Sequence, residues 1–201
     1  FFAGSFIGVV IEEFYWLIKT GLLESRQGLV YGPFNLVYGF GALILTFCLN
    51  SIKKSNKLNF KIFIISFIMG SLFEYFCSIF QEELFGTVSW EYSEKLLNIN
   101  GRITLQYSIF WGILGIIWIR YLLPLFIKTI DNIPLKANHI LTYVCLAFMI
   151  INAIVTIVVS YRQRERFDNE PPSNKIERYI DSRYPDSVMN KIFPNSKPVK
   201  N

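Results

Sequence analysis

Charge is scarce in this chain. Only 17% of its 201 residues are Asp, Glu, Lys or Arg, against about 25% in a soluble domain. The shortage is concentrated: residues 27–52, 103–119 and 140–161 are uncharged runs of 26, 17 and 22 residues. A bilayer span takes roughly 20 apolar residues, so a soluble fold is excluded and a polytopic membrane protein is expected. Histidine is nearly absent. His139 stands alone, which excludes any two-histidine metal or catalytic signature, and its place at the start of an apolar run reads as interfacial. Cys48, Cys77 and Cys145 lie in apolar segments without C-x-x-C spacing, so they read as small packed side chains rather than disulfides or metal ligands. The formal charge of +5 divides into +2 over residues 1–161 and +3 over 162–201. That is too diffuse for nucleic acid, and no basic patch is interleaved with stacking aromatics.

What is there is an all-α membrane bundle of about five transmembrane helices, at about 1–18, 33–51, 60–81, 103–123 and 139–161. Helices are the default because isolated strands leave backbone groups unsatisfied in lipid. Glu12 and Glu13 interrupt the first segment and no small-residue cleavage site follows it, so it reads as a span and not as a signal peptide. Pro33 is expected to open the second span, being tolerated in a first helical turn. Orientation follows the lysines and arginines of short loops. Loop 52–61 holds Lys53, Lys54, Lys57 and Lys61 with no acid, and loop 120–138 holds Arg120, Lys128 and Lys136 against Asp131; both are expected in the cytoplasm. The connections 19–32 and 82–103 then lie outside. Five spans from a cytoplasmic N-terminus put the tail outside as well, yet Arg162, Arg164 and Arg166 follow the last span directly. Either the tail crosses despite its charge or one span is re-entrant, and five spans is the favoured reading. The tail, 162–201, carries five of the eight prolines and is expected to be polar and largely extended, with one short amphipathic helix near 174–184.

The chain repeats itself. Segment 5–15, SFIGVVIEEFY, resembles segment 66–76, SFIMGSLFEYF, and in each a Gly precedes a Glu by four residues: Gly8 and Glu12, Gly70 and Glu74. A polar connection with one Arg follows (Arg26, Arg102), and the next span opens on an aromatic–glycine signature, Tyr38-Gly39-Phe40-Gly41 or Trp111-Gly112. Such a parallel duplication of a helix pair is known among transporters, and chance likeness between apolar helices is the alternative. Residues four apart share a helix face, so Gly4, Gly8, Glu12 and Tyr15 form one stripe and Ser66, Gly70, Glu74, Ser78 and Glu82 another. Small residues admit close helix contact, and a carboxylate on the same stripe is carried into it. Ionisable groups in spans are costly and face a bundle interior or a watery cavity. The functional reading is a polar cavity open to the outer side, lined by Glu12, Tyr15, Glu74, Ser78 and Glu82 with Arg26 and Arg102 above. Tyr15, Tyr75 and Trp111 would supply aromatic walls if substrates arrive through lipid. The plainer reading pairs the two glutamates with Arg26 and Arg102 at the outer headgroups.

No phosphate loop, H-E-x-x-H or G-x-S-x-G motif is present, so an ATPase that drives this protein is a separate chain. The order of motifs resembles the bacterial CmpB-like family of type IV ABC-transporter permeases. The resemblance rests on Gly8, Glu12 and Tyr15; on Arg26, Gly28, Leu29, Gly32, Pro33 and Phe34; and on Tyr38 to Ala42. It continues at Glu74, Tyr75, Ser78, Glu82 and Phe85, at Trp90, Tyr92 and Ser93, and at Asn98, Gly101, Arg102, Ile103, Trp111 and Gly112. It covers roughly residues 4–124, and Phe193-Pro194-Asn195 in the tail is similar to members of that family. Gln27 departs from the pattern by separating Arg26 from Gly28, and Glu91 replaces an Asp. The resemblance implies a multi-pass permease subunit of the bacterial plasma membrane, working with a separate ATPase subunit and without a cofactor or metal of its own. Two other classes stay open: an intramembrane enzyme acting on a lipid-linked substrate through its clustered carboxylates, and a non-transporting partner or sensor whose weight lies in the tail. Glycine-rich faces would also suit a homodimer.

Overall fold

The structure is a computed structural model, and it describes residues 1–49 and 58–199. Lys53, Lys54 and Lys57, on which half of the orientation argument rests, lie outside the described residues. The chain forms helix α1 (Phe2–Thr20), α2 (Leu36–Leu49), α3 (Leu58–Phe85), α4 (Leu105–Ile117), α5 (Leu123–Asp131) and α6 (Leu135–Phe167), then the short α7 (Lys175–Arg183) and α8 (Asp186–Ile192). Four two-residue strands complete it: β1 (Thr87–Val88), β2 (Asn98–Ile99), β3 (Ile103–Thr104) and β4 (Lys197–Pro198). They form two antiparallel pairs, β1 with β4 and β2 with β3. The largest interface joins α3 to α4 and the next joins α1 to α2, so the two halves of the sequence repeat are two antiparallel helix pairs.

The ends of these helices follow from local chemistry. Gly21, at φ 75°, closes α1 by donating its N–H to the carbonyl of Leu17, the left-handed stop that glycine adopts without strain. Pro33 does not open α2. It sits in a turn in which the N–H groups of Gly28 and Leu29 both reach the carbonyl of Phe34, and Asn35 starts the helix instead, its Oδ1 accepting from the N–H of Val37 at 2.9 Å. Between α4 and α5 the helix widens into a π-turn over Trp118–Leu122. Pro124 supplies the reason: it lacks an N–H and its ring crowds the carbonyl four residues back.

Three helical stretches are long and apolar enough to cross a membrane: Asn59–Phe85, Leu105–Asp131 and Leu135–Phe167. The other two of the five expected spans differ from these for separate reasons. α1 has 19 residues but carries Glu12, Glu13 and Lys19. α2 has 14 residues, about 21 Å at 1.5 Å per residue, short of a hydrocarbon core of about 30 Å. Large aliphatic side chains are exposed along α6, Ile140, Leu146, Ile150 and Ile154 among them, as a lipid-facing surface requires. The glycines that suggested a dimer face inward: a side chain at Gly112 would meet the Phe63 ring, and one at Gly115 would meet Ser66.

The tail is not the extended segment the prolines suggested. α6 continues past Tyr161 to Phe167, and α7 and α8 fold back so that Ile180 and Met189 pack with Val159. Asn174 caps α7, its side chain accepting from the N–H groups of Ile176 and Glu177. Arg162, 3% exposed, bonds Asp181 and Glu165; Arg166 bonds Asp181 and Asp186. Arg164 donates to the carbonyls of Glu83 and Leu84 at 2.7 and 3.1 Å, which lack helical partners at the end of α3. The β1–β4 pair and a hydrogen bond between the hydroxyls of Tyr31 and Tyr184 hold the tail at the same end of the bundle as connections 21–35 and 86–104. The prolines mark the turns between its helices, and long-range contacts supply the order that composition alone does not reveal.

Candidate functional site

The two helix pairs repeat one arrangement. In α1, Gly8 leaves room for the Tyr38 ring of α2, and one turn on, Glu12 accepts from the Tyr38 hydroxyl at 2.7 Å. In α3, Gly70 leaves room for the Trp111 ring of α4, and one turn on, Glu74 accepts from Trp111 Nε1 at 2.8 Å. A Cβ at either glycine would enter the ring it faces. Each half therefore uses the same device: a glycine admits an aromatic ring from the returning helix, and a glutamate four residues later takes that ring's polar hydrogen. The two rings meet at the centre, Tyr38 and Trp111 lying 5.9 Å apart between centroids. Glu12 and Glu74 are thereby linked through one aromatic contact, each bonded to one of the two rings.

The connection before α4 adds a second layer. Tyr92 donates to Glu74 at 3.2 Å and stacks on Tyr107 at 4.7 Å, and Tyr107 and Tyr15 both pack edge-on against Phe110. Burial, and then the nearby Glu74 charge, push the Tyr92 phenol far above its ordinary value, so it stays a hydrogen-bond donor. Glu91 lies beside this layer in water, held below the usual carboxylate range by the hydroxyl and N–H of Ser93. Glu74 is only 7% exposed and Glu12 is half-buried.

Of the nine residues predicted for the site, Glu12, Tyr15, Glu74 and Trp111 come together here. The others do not join them as expected. Arg102 donates to Ser78 at 2.9 Å and forms an ion pair with Glu82, a closed group about a turn or two outward along α3. Tyr75 accepts from Asn100 at 2.8 Å. Arg26 is 7% exposed and close enough to Glu12 to feel its charge, but its guanidinium lies 3.9 Å over the Trp16 ring and its ion pair is with Glu24 at 3.2 Å. Neither Glu12 nor Glu74 is thus held by the arginine expected above it. Sequence reasoning missed Tyr38, Tyr92 and Tyr107 as site residues. For Tyr38 a signal existed, since it occupies in the first half the place of Trp111 in the second.

The polar groups point at one another, and side chains fill the space between them. A cavity of about 60 Å³ at this interface is mostly apolar, lined by Gly4, Gly8, Tyr38, Ala42, Trp111 and Trp118. Among the described residues no group of three His, Cys, Asp or Glu side chains is placed to hold a metal ion. Residues 1–157 match a protein family described as "Putative ABC-transporter type IV". No curated protein and no solved structure gives a significant match to the chain.

Proposed function

Because the chain belongs to this ABC-transporter type IV family, we propose that it is a permease subunit of the bacterial plasma membrane whose working site is the Glu12–Glu74 pair. The observation that carries the reading is that pair itself: two glutamates, one from each repeated helix pair, brought together on membrane helices. An ionisable side chain at such depth is expensive and marks a substrate or ion pathway. Sites at the junction of repeats are opened by movement of one repeat against the other, and the ring contact between Tyr38 and Trp111 is the seam along which the two pairs would part. The closed arrangement described above is then the occluded state, and an outward-open polar cavity forms when the seam opens. Five helices alternating in direction cross the bilayer, and α1 and α2 also present large apolar side chains outward, Phe14, Ile18 and Phe47 among them. The chain carries no nucleotide-binding motif, so energy comes from a separate ATPase subunit.

Affinity purification from native membranes in mild detergent, with mass spectrometry of what comes along, tests this. A nucleotide-binding subunit in stoichiometric amount is the expected result. A chain that emerges without one under every detergent tried, while its helical content stays intact, overturns the permease reading.

A further inference from the structure

No positively charged group donates a hydrogen bond to Glu12 or Glu74, although Arg26 lies within electrostatic reach of Glu12. Both carboxylates are bonded only by neutral donors: the Tyr38 hydroxyl on Glu12, and the Trp111 indole and Tyr92 hydroxyl on Glu74. Charges removed from water are ordinarily paired with an opposite charge. The nearest basic side chain, Arg26, is turned to Trp16 and Glu24, and Arg102 is committed to Glu82 and Ser78. The walls of the site are aromatic faces, Tyr38 and Trp111 in contact with each other and Tyr92 stacked on Tyr107, which attract an organic cation through their ring quadrupoles. A separate observation adds a second requirement. Beyond Glu12, the buried Arg26 Nε and Trp16 Nε1 have no acceptor among the described residues, although buried donors are nearly always satisfied. With Glu13 and Glu24 already at Arg26, a neutral or weakly charged oxygen suits those donors better than a further full anion.

Resting on the reading of this pair as the permease's working site, we propose that it takes an alkylammonium group with an oxygen acceptor beside it. Free amino alcohols and the amine headgroups of lipids share that chemistry. When the seam between Tyr38 and Trp111 parts, the ammonium sits between Glu12 and Glu74 against the two rings, and the oxygen meets Arg26 and Trp16. A lipid headgroup and a free amine in water are the two sources of that group.

The test uses the purified full chain, with whatever subunits accompany it, in nanodiscs of phosphatidylglycerol, which carries no amine. Tryptophan fluorescence is followed as ethanolamine or choline is added, and separately on moving to nanodiscs containing phosphatidylethanolamine. A saturable change with the free amines assigns an aqueous source; the same change only with the amine lipid assigns the headgroup. Either supports the proposal if Glu74→Gln and Glu12→Gln each weaken it by about tenfold or more, the loss expected for one charge-assisted hydrogen bond, and Glu94→Gln does not. Should the variants fail to fold, competition on the unaltered chain decides: tetramethylammonium displaces the probe while propionate and isopropanol do not. No saturable response in either arm, or equal competition by propionate, overturns the proposal. The two readings fail separately. Copurification of an ATPase subunit without amine binding leaves the permease and removes this ligand class, whereas amine binding by a chain with no such subunit does the reverse.

Discussion

At the scale of single residues, two glycines decide whether the site exists. A methyl group at Gly70 would lie inside the contact distance of the Trp111 ring, and one at Gly8 would do the same to Tyr38. Neither ring can retreat freely, since each is tied through its polar hydrogen to the glutamate one turn away. Overpacking of this kind costs about 1–3 kcal/mol, and Gly70→Ala and Gly8→Ala are each expected to lower the apparent melting temperature of the detergent-solubilised chain. Unchanged melting in both would mean that the close helix contact is not what holds the rings. This is also where the sequence is most legible. The G-x-x-x-E spacing points to Glu12 and Glu74, and the aromatic–glycine signature points to Trp111. Tyr92 and Tyr107 escape notice because their role comes from a stack between a connection and a helix, which no spacing along the chain encodes. Arg26 and Arg102 meet Glu24 and Glu82 and not Glu12 and Glu74, for a related reason: proximity in sequence to an outer carboxylate does not say which of several carboxylates a flexible guanidinium meets.

At the scale of elements, the tail is a small folded unit held by charge. Arg162 and Arg166 converge on Asp181, and the Arg162 guanidinium, followed by that of Arg166, holds the Asp181 carboxyl below the usual carboxylate range. A carboxyl whose value is lowered on folding contributes stability that is fully present above its unfolded value of about 3.9 and is lost as pH falls through the lowered one. Docking of the tail is therefore expected to be unchanged from pH 8 to pH 5 and to loosen only below about pH 4. Hydrogen exchange of residues 175–192 against pH reads this directly. Release at pH 6 would show that some other group controls the docking. Asp181→Asn should bring the acid-loosened behaviour to neutral pH, with exchange in that segment faster by roughly tenfold or more, since the buried Arg162 loses one of its two carboxylate partners and keeps only Glu165. The amphipathic stretch of α7 is visible in sequence, but α8 and the strand pair β1–β4 are not, because α8 is held by packing on Val159 and Ile180 and β4 by a partner about a hundred residues away.

At the scale of the whole molecule, the folded tail resolves a conflict in the charge pattern. Positive residues next to a span favour the cytoplasm, and Arg162, Arg164 and Arg166 argue on that ground against an outer tail. None of the three is free in the folded chain. Arg162 and Arg166 are neutralised by Glu165, Asp181 and Asp186, and Arg164 caps the carbonyl end of α3. The opposite end carries Lys128 and Lys136 with Asp131. The tail shares its end with connections 21–35 and 86–104, as five alternating helices require and four do not. A chain with Cys48, Cys77 and Cys145 replaced by serine, carrying either Ser173→Cys or Asn132→Cys, tests the arrangement with a membrane-impermeant maleimide on intact cells. Ser173→Cys is expected to label at once and Asn132→Cys only after permeabilisation. Labelling of both from the same side would mean that one of α1 to α6 turns back within the bilayer, and α2, with 14 residues, is the element whose length makes it the first to re-examine. Such a result would leave the Tyr38 contact to Glu12 intact but place it on a re-entrant helix, so that opening would come from movement of α2 alone and not from the parting of two equal halves.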